Sequence, residues 1–524
     1  MSLARRFLKS SAFRTLETVI NIAVGLFMLP FLVTQLGETM YGIWILVGSI
    51  TAAFYILDLG FASAVTRFIS NALAKNDRTL GKEVVSTAWL VYMTLAMVIC
   101  LLTGIAALLV PVFAEPEGPH GIIQALLAIT GLNLAIQFPV KAFAGIAAYH
   151  MRYDLLSISQ IIFKLLSTAI TVAAVLKGYG VISVALAALF GGICTNLTFR
   201  MIARHLEPKL TVSPKSATLT RAKELINFSG WTLIIDACRL LQDRADIWII
   251  GAFLSAQMLT LYYVGLRLAT YTFELMVKAV SMNMPLFVRD FADGNIEGMR
   301  QKLFLFTRLN FLIATLAISA FTVTGRDVIT LWMGNSLDVA QAYQVALLLL
   351  ASKMILFISM PINAVFIASY KPKIMSWIGI YESTALLLLL LFFVRVIETG
   401  ITGAATAVFI SYALLRPTVL PIMVARELRF HTILYFKAVL PLVVIGACVG
   451  GTTFFIGEGT SNNLNLHYRL SLKIAIFAAL SLLLIPLILR SDEKTVLTES
   501  FGKLSIIFRW PDQLKNRINK NIKN

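Results

Sequence analysis

The sequence predicts an all-α polytopic membrane protein: about fourteen transmembrane helices, in two pseudo-twofold-related six-helix bundles plus two C-terminal helices. Three observations carry this. Of its 524 residues, 58% are hydrophobic and only 14% charged, with a mean hydropathy of +0.82, which is not a soluble globular profile. Apolar stretches of about 20 residues, long enough to cross a bilayer as a helix, recur from end to end. The chain also repeats itself with a period near 220 residues.

The spans follow in order. The first, 14–34, comes after a basic start (Arg5, Arg6, Lys9, Arg14). It is too long for a cleaved signal, contains Pro30 and lacks a small-residue cleavage site. The next five, 42–64, 85–113, 121–144, 156–176 and 181–203, complete an N-terminal six-helix lobe over residues 1–206. Residues 207–228, polar and broken by Pro208 and Pro214, read as a cytoplasmic linker ending in an amphipathic approach to the seventh span. A C-terminal six-helix lobe over 229–430 holds spans 229–253, 258–283, 303–324, 343–368, 375–395 and 401–424. Two additional helices, 433–455 and 470–489, occupy 431–490. The basic cytoplasmic tail, 491–524, with Lys503 to Trp510 and then Lys515, Arg517, Lys520 and Lys523, reads as an interfacial anchor on anionic lipid.

The repeat fixes how the lobes relate. FISNALAKNDRTLGKEV from Phe68 resembles LFVRDFADGNIEGMRQKL from Leu286. PVKAFAGIAAY from Pro139 resembles PINAVFIASY from Pro361, and GVISVALAAL from Gly180 resembles GITGAATAVF from Gly400. The offset is 222 from Pro139 to Pro361, 221 from Tyr149 to Tyr370 and 220 from Gly180 to Gly400. An even number of helices per copy makes both copies enter the membrane in one direction, related by an axis along its normal, a transporter design. Most of the 45 Lys and Arg fall on one side of this topology, so both termini are expected in the cytoplasm. The net charge of +18 then reflects an anionic inner leaflet rather than nucleic acid.

The seventh span is the anomaly. Within WTLIIDACRLLQDRADIWIIGAF stand Asp236, Arg239, Asp243, Arg244 and Asp246. Such a group at mid-bilayer costs about 2.5–3.5 kcal/mol, so five of them must face protein or a watery cavity. Positions 236, 239, 243 and 246 share one helical face, with Arg244 to its side and Ile234, Leu241 and Trp248 opposite. The eighth span repeats the pattern with Arg267, Tyr271, Glu274, Lys278 and Ser281. The first carries Glu17 and Asn21 over Gly25, and the second Asp58. These four spans are equivalent pairs across the repeat, which predicts a polar cavity between the lobes. Pairing at i,i+3 or i,i+4 within a span is the structural alternative. Lys164, Arg308, Lys353, Glu382 and Arg416 add single charges, and Arg308 can snorkel to the cytoplasmic edge. A guanidinium stays charged and offers paired donors that fit phosphate, so the arginine load points to an anionic, phosphate-bearing substrate.

Other chemistry is not indicated. There is no GxxxxGK[ST] ATPase loop. None of the five His lies well inside a span, which removes His-based zinc sites and proton relays. Cys100, Cys194, Cys238 and Cys448 lack disulfide or zinc spacing and read as small core residues. The outer loops offer no catalytic carboxylate platform, so no enzyme is expected, and neither a cofactor nor a metal.

The stretch LPFLVTQLGETMYGIW (Leu29 to Trp44) followed by LDLGFASAVTRFIS (Leu57 to Ser70) resembles the polysaccharide exporters of the multidrug/oligosaccharidyl-lipid/polysaccharide (MOP) superfamily. Pro30, Leu36-Gly37, Tyr41-Gly42, Asp58, Gly60 and Arg67 stand at that family's motif places, whereas the second half is looser, with Leu261, Tyr262, Tyr263 and Gly265 in place of the Tyr-Gly element. The resemblance implies an O-antigen-type flippase in the bacterial cell inner (cytoplasmic) membrane. Its substrate would be an undecaprenyl-pyrophosphate-linked oligosaccharide, a repeat unit for O-antigen in lipopolysaccharide, capsule or exopolysaccharide biosynthesis. It implies alternating access, with H+, Na+ or the membrane potential as the candidate driving forces, and membrane lipids, a polysaccharide polymerase and chain-length proteins as partners. On this reading Arg239, Arg244, Arg267 and Lys278 meet the pyrophosphate. Glu17, Asn21, Asp58, Asp236, Asp243, Asp246 and Glu274 bind sugar, balance charge or couple ions. Rival readings are a MATE-like drug or cation antiporter, a peptidoglycan lipid-precursor flippase and a membrane glycosyltransferase.

Overall fold

The computed structural model describes residues 3–58, 60–113, 118–228, 230–280, 284–334, 337–461 and 465–489; the expected anchor in 491–524 lies outside the described residues. Among them the regular elements are helices, with no strand. They are α1 (Leu3–Leu36), α2 (Glu38–Ala53), α3 (Phe61–Ala74), α4 (Arg78–Phe113), α5 (His120–Gln137), α6 (Ala144–Tyr149), α7 (Tyr153–Leu176), α8 (Gly180–Leu206), α9 (Leu219–Phe228) and α10 (Gly230–Phe253). After these come α11 (Ala256–Val280), α12 (Met284–Ala292), α13 (Ile296–Met333), α14 (Val339–Ala368), α15 (Pro372–Leu391), α16 (Gly400–Leu415), α17 (Val419–Glu427), α18 (Thr432–Ser461) and α19 (Leu466–Ile488). Among the described residues, twelve helical segments are long and apolar enough to cross a membrane. The charged helices α10 and α11, 24 and 25 residues long, stand outside those twelve. Apolar side chains such as Leu108, Met201 and Phe455 point outward, which suits hydrocarbon and not water. The protein is therefore a multi-pass membrane protein.

The turns carry the repeat. A left-handed residue, Asn76 in one copy and Gly294 in the other, reverses the chain before α4 and before α13. Asp77 and Asn295 then cap these two helices, accepting from the N–H groups of Leu80 and Gly298 at 2.9 and 2.8 Å. Met151 and Tyr370 make the left-handed turn before α7 and α15. Gly178 precedes α8 and Gly180 begins it, as Glu398 precedes α16 and Gly400 begins it, all four with positive φ.

By its contacts the chain divides into two compact units, Met1–Thr260 and Leu261–Asn524. In the first, α3, α4, α5 and α6 share a core that includes Ile69, Val84, Tyr92, Phe138 and Ile146. The stretch 207–228 is not a loose connector. Leu210 and Leu225 are buried in that same core. The N–H groups of Ser213 and Thr218 donate to the hydroxyls of Ser86 and Thr87 on α4 at 3.0 and 3.1 Å. The repeat makes α10 the head of the second copy, yet its packing places it in the first unit, against α2.

Gly42 shows why that packing needs glycine: a Cβ there would lie 1.9 Å from the Ala256 carbonyl oxygen. Gly42→Ala should therefore lower stability by about 1–3 kcal/mol, the range for overpacking. Gly48, with nothing within 4 Å of its Cβ position, is the control. Thermal unfolding in detergent should separate the two variants.

In the second unit α18 and α19, which lie outside the repeat, are fastened to α13. Ser319 donates to the Gly446 carbonyl at 2.8 Å. The buried Asp327 carboxylate pairs with Lys473 at 3.1 Å and with Arg469. Arg308 is the one charge that departs from its sequence-based option of snorkelling. It is buried, and its guanidinium donates to the Ala438 carbonyl on α18.

Candidate functional site

The Asp-x-Gly element can be explained from its backbone. A 3-10 turn, Phe54–Asp58, extends α2, and Gly60 then takes the left-handed conformation (φ 70°) that starts α3. The turn folds Asp58 back so that its Oδ1 accepts the Ala62 N–H at 3.2 Å. Oδ1 also accepts from the Tyr92 hydroxyl at 2.8 Å, and Oδ2 pairs with the Lys141 ammonium at 2.8 Å. Lys141 lies on a second 3-10 turn, Pro139–Phe143, where Pro139 ends the regular helix of α5. Its ammonium sits 4.9 Å from the centre of the Tyr55 ring and 4.4 Å from that of Phe138. The Tyr55 hydroxyl in turn donates to Gln137 Oε1 at 2.8 Å.

Helix α10 runs beside this group. Gly251 meets Leu46, and Gly42 meets the Ala256 carbonyl that follows α10, so α2 and α10 are antiparallel in a defined register. Continuing the register at equal rise brings Asp243 near the level of Phe54 and Arg239 near that of Asp58. Asp236, Arg239 and Asp243 are exposed on one face, as their spacing predicts, and Arg244 is half-buried beside them. Asp246 differs. At the edge of the stripe it is buried at 3% exposure, and its Oδ1 accepts the Ile247 N–H at 2.8 Å. Three of the four stripe residues thus reach open space, and the fourth is held in the packing. On α1, Asn21 is exposed and Glu17 is half-buried, within 3.1 Å of the Gln160 amide on α7 once that amide is turned to donate.

In the second unit α11 presents Arg267, Glu274 and Lys278. Arg267 and Glu274 are half-buried and Lys278 is exposed. The Arg267 guanidinium lies 4.7 Å from the centre of the Tyr263 ring and 5.8 Å from that of Tyr271, an aromatic cradle that holds the charge in place. The isolated charges are placed differently. Glu382 is fully buried and pairs with Arg416 at 2.7 Å, while Arg416 also donates to the Ser359 hydroxyl at 2.9 Å. Lys353 sits over the Phe273 ring, and Lys164 is exposed.

The structure thus gathers, within the first unit, Asp58 and the exposed α10 charges near one level. It adds Tyr55, Tyr92, Gln137 and Lys141, which sequence reasoning did not single out. The available signal was Lys141 itself, a lysine inside the fourth predicted span and in a repeated motif.

The profile of the family described as polysaccharide biosynthesis protein matches residues 37–342. A curated relative, the uncharacterized membrane protein EpsK of Bacillus subtilis (strain 168), is 21% identical over 322 residues, or 61% of this chain and 63% of that protein. The match therefore spans less than two thirds of the relative's length. Among solved structures, the lipid II flippase MurJ in an inward closed conformation superposes with a TM-score of 0.69 at 14% identity, covering 90% of this chain and 98% of that one. An inward-facing multidrug resistance MATE family transporter of the MOP superfamily follows, with a TM-score of 0.61 at 13% identity, covering 79% and 95%. The chain therefore belongs to the polysaccharide biosynthesis protein family and has the fold of the MOP-superfamily flippases and transporters.

Proposed function

We propose that this protein is a flippase moving an undecaprenyl-pyrophosphate-linked oligosaccharide across the bacterial inner membrane by alternating access, with both termini cytoplasmic. The carrying observation is the exposed Asp236–Arg239–Asp243 face of α10, which the register of α2 and α10 sets near the level of Asp58, in a chain of mostly apolar helices. A sugar head is too polar for hydrocarbon, so its carrier must offer a hydrophilic surface at membrane depth. In the first unit Arg239 and Arg244 suit a pyrophosphate, whose oxygens accept paired guanidinium donors, and in the second unit Arg267 and Lys278 offer the same charge. The acids Asp236, Asp243 and Glu274 offset part of that charge and can accept from sugar hydroxyls.

The test is reconstitution. Proteoliposomes containing the protein should expose a labelled undecaprenyl-pyrophosphate-linked oligosaccharide to an added glycosidase faster than empty liposomes do. Uptake of organic cations with no lipid flipping would instead support a drug antiporter. Flipping restricted to a peptidoglycan lipid precursor would support the reading favoured by the fold likeness to MurJ.

A further inference from the structure

The geometry points to a sugar-recognition subsite in the first unit, formed by Tyr55, Gln137 and Lys141 with Asp58 as its positioning residue. The inference rests on the flippase reading and assigns one part of the substrate, the glycan, to one part of the chain.

Charge balance separates this group from the arginines. Asp58 and Lys141 are 2.8 Å apart and cancel each other, so the group has no net attraction for a phosphate. A neutral ligand rich in hydroxyls suits it better. The unused hydrogen-bonding capacity is of the kind such a ligand needs. Lys141 has three N–H donors, of which one is taken by Asp58 Oδ2. Gln137 accepts the Tyr55 hydroxyl through Oε1, which leaves its two amide N–H donors, and the Tyr55 oxygen keeps its lone pairs. The Tyr55 ring, 44% exposed, adds an apolar surface against which the C–H groups of a pyranose can pack.

Two internal comparisons argue against a purely structural strap. Structural straps among the described residues are Glu382–Arg416 and Asp327–Lys473, where the carboxylates are buried and the cations nearly or fully so. The Lys141 and Asp58 side chains instead retain 23% and 17% of their exposure. The repeat supplies the second comparison. Pro361-Ile-Asn363 stands where Pro139-Val-Lys141 stands in the first copy, and there the chain passes as continuous α14 with no lysine. The fold makes this passage without the cation, so Lys141 answers a need that only the first copy has. Position agrees, since the register of α2 and α10 sets Arg239 near the level of Asp58. A sugar on Tyr55 and Gln137 would then have its phosphates within the reach of α10.

Full-length protein in lipid nanodiscs should be titrated with two kinds of probe. One is polyprenyl pyrophosphate; the other is the same lipid bearing one N-acetylglucosamine or one galactose. The wild type should prefer a sugar-bearing probe by about tenfold, the discrimination expected from one or two hydrogen bonds. Gln137→Leu and Tyr55→Leu should collapse that ratio toward one. Lys141→Arg should keep part of it and Lys141→Met should not. Arg239→Ala should weaken both probes and preserve the ratio. An unchanged ratio in both Gln137→Leu and Tyr55→Leu would overturn the subsite, as would equal affinity of the wild type for all probes, and either result leaves the flippase reading standing. Binding of no probe by folded wild-type protein would overturn both. Melting temperatures measured alongside separate loss of recognition from loss of fold.

Discussion

Glu382→Ala should destabilise the protein by about 3–5 kcal/mol, the range for removing one partner of a buried ion pair. Glu382 has no exposed side-chain surface, and Arg416 retains only 12% of its own. With the carboxylate gone, the guanidinium keeps the Ser359 hydroxyl at 2.9 Å but loses its counter-charge at membrane depth. The attraction lost is large because the medium around the pair is poorly polarisable. Replacing both partners, Glu382→Leu with Arg416→Met, should recover most of the loss, since no buried charge is then left unpaired. Thermal unfolding in detergent of the wild type, both single variants and the double variant reads this directly. If Glu382→Ala melts with the wild type, the pair does not hold α15 to α16.

Arg239→Ala should leave stability near that of the wild type and still cut flipping. Arg239 is exposed, so its removal opens no cavity and strands no buried partner. On the proposed function, what is lost is a charge-assisted contact to the pyrophosphate. Such contacts contribute about 1.5–3 kcal/mol, or roughly 10- to 100-fold in rate or affinity. Arg239→Lys should recover only part, because an ammonium lacks the planar pair of donors. The proteoliposome assay checks the rate and a melt checks the fold. Full flipping by a well-folded Arg239→Ala protein would sink the pyrophosphate role of α10.

Much of this molecule was legible in the sequence, for a physical reason. A bilayer demands about twenty apolar residues per helix, so the spans announce themselves, and deviations such as the charges of α10 stand out against a uniform background. The repeat was legible because duplicated turns need the same backbone conformations: Gly178 with Gly180 and Gly400 sit where φ must be positive. Asp246 was less so. A 3.6-residue period places it at the margin of the stripe, and only the packing of its neighbours decides that it is buried. Lys141 escaped notice because its partners Asp58 and Tyr55 lie 83 and 86 residues earlier in the chain, which local periodicity cannot connect. The charge of Arg308 was visible, but the carbonyl that receives it, 130 residues away on α18, was not.

The polar stretch between the two copies has the composition of a hinge, yet it is pinned. Leu210 and Leu225 are anchored in the core of the first unit, and Ser213 and Thr218 are tied to α4. Four points along its length are thus held to the first unit. The chain passes from one unit to the other at Thr260, inside the regular helix α11, with only the short break at 254–255 ahead of it. The passage between the units therefore lies on α11, the helix that also carries Arg267, Glu274 and Lys278. On the proposed function, the element offered to the substrate's charge is also the continuous helix that joins the two units.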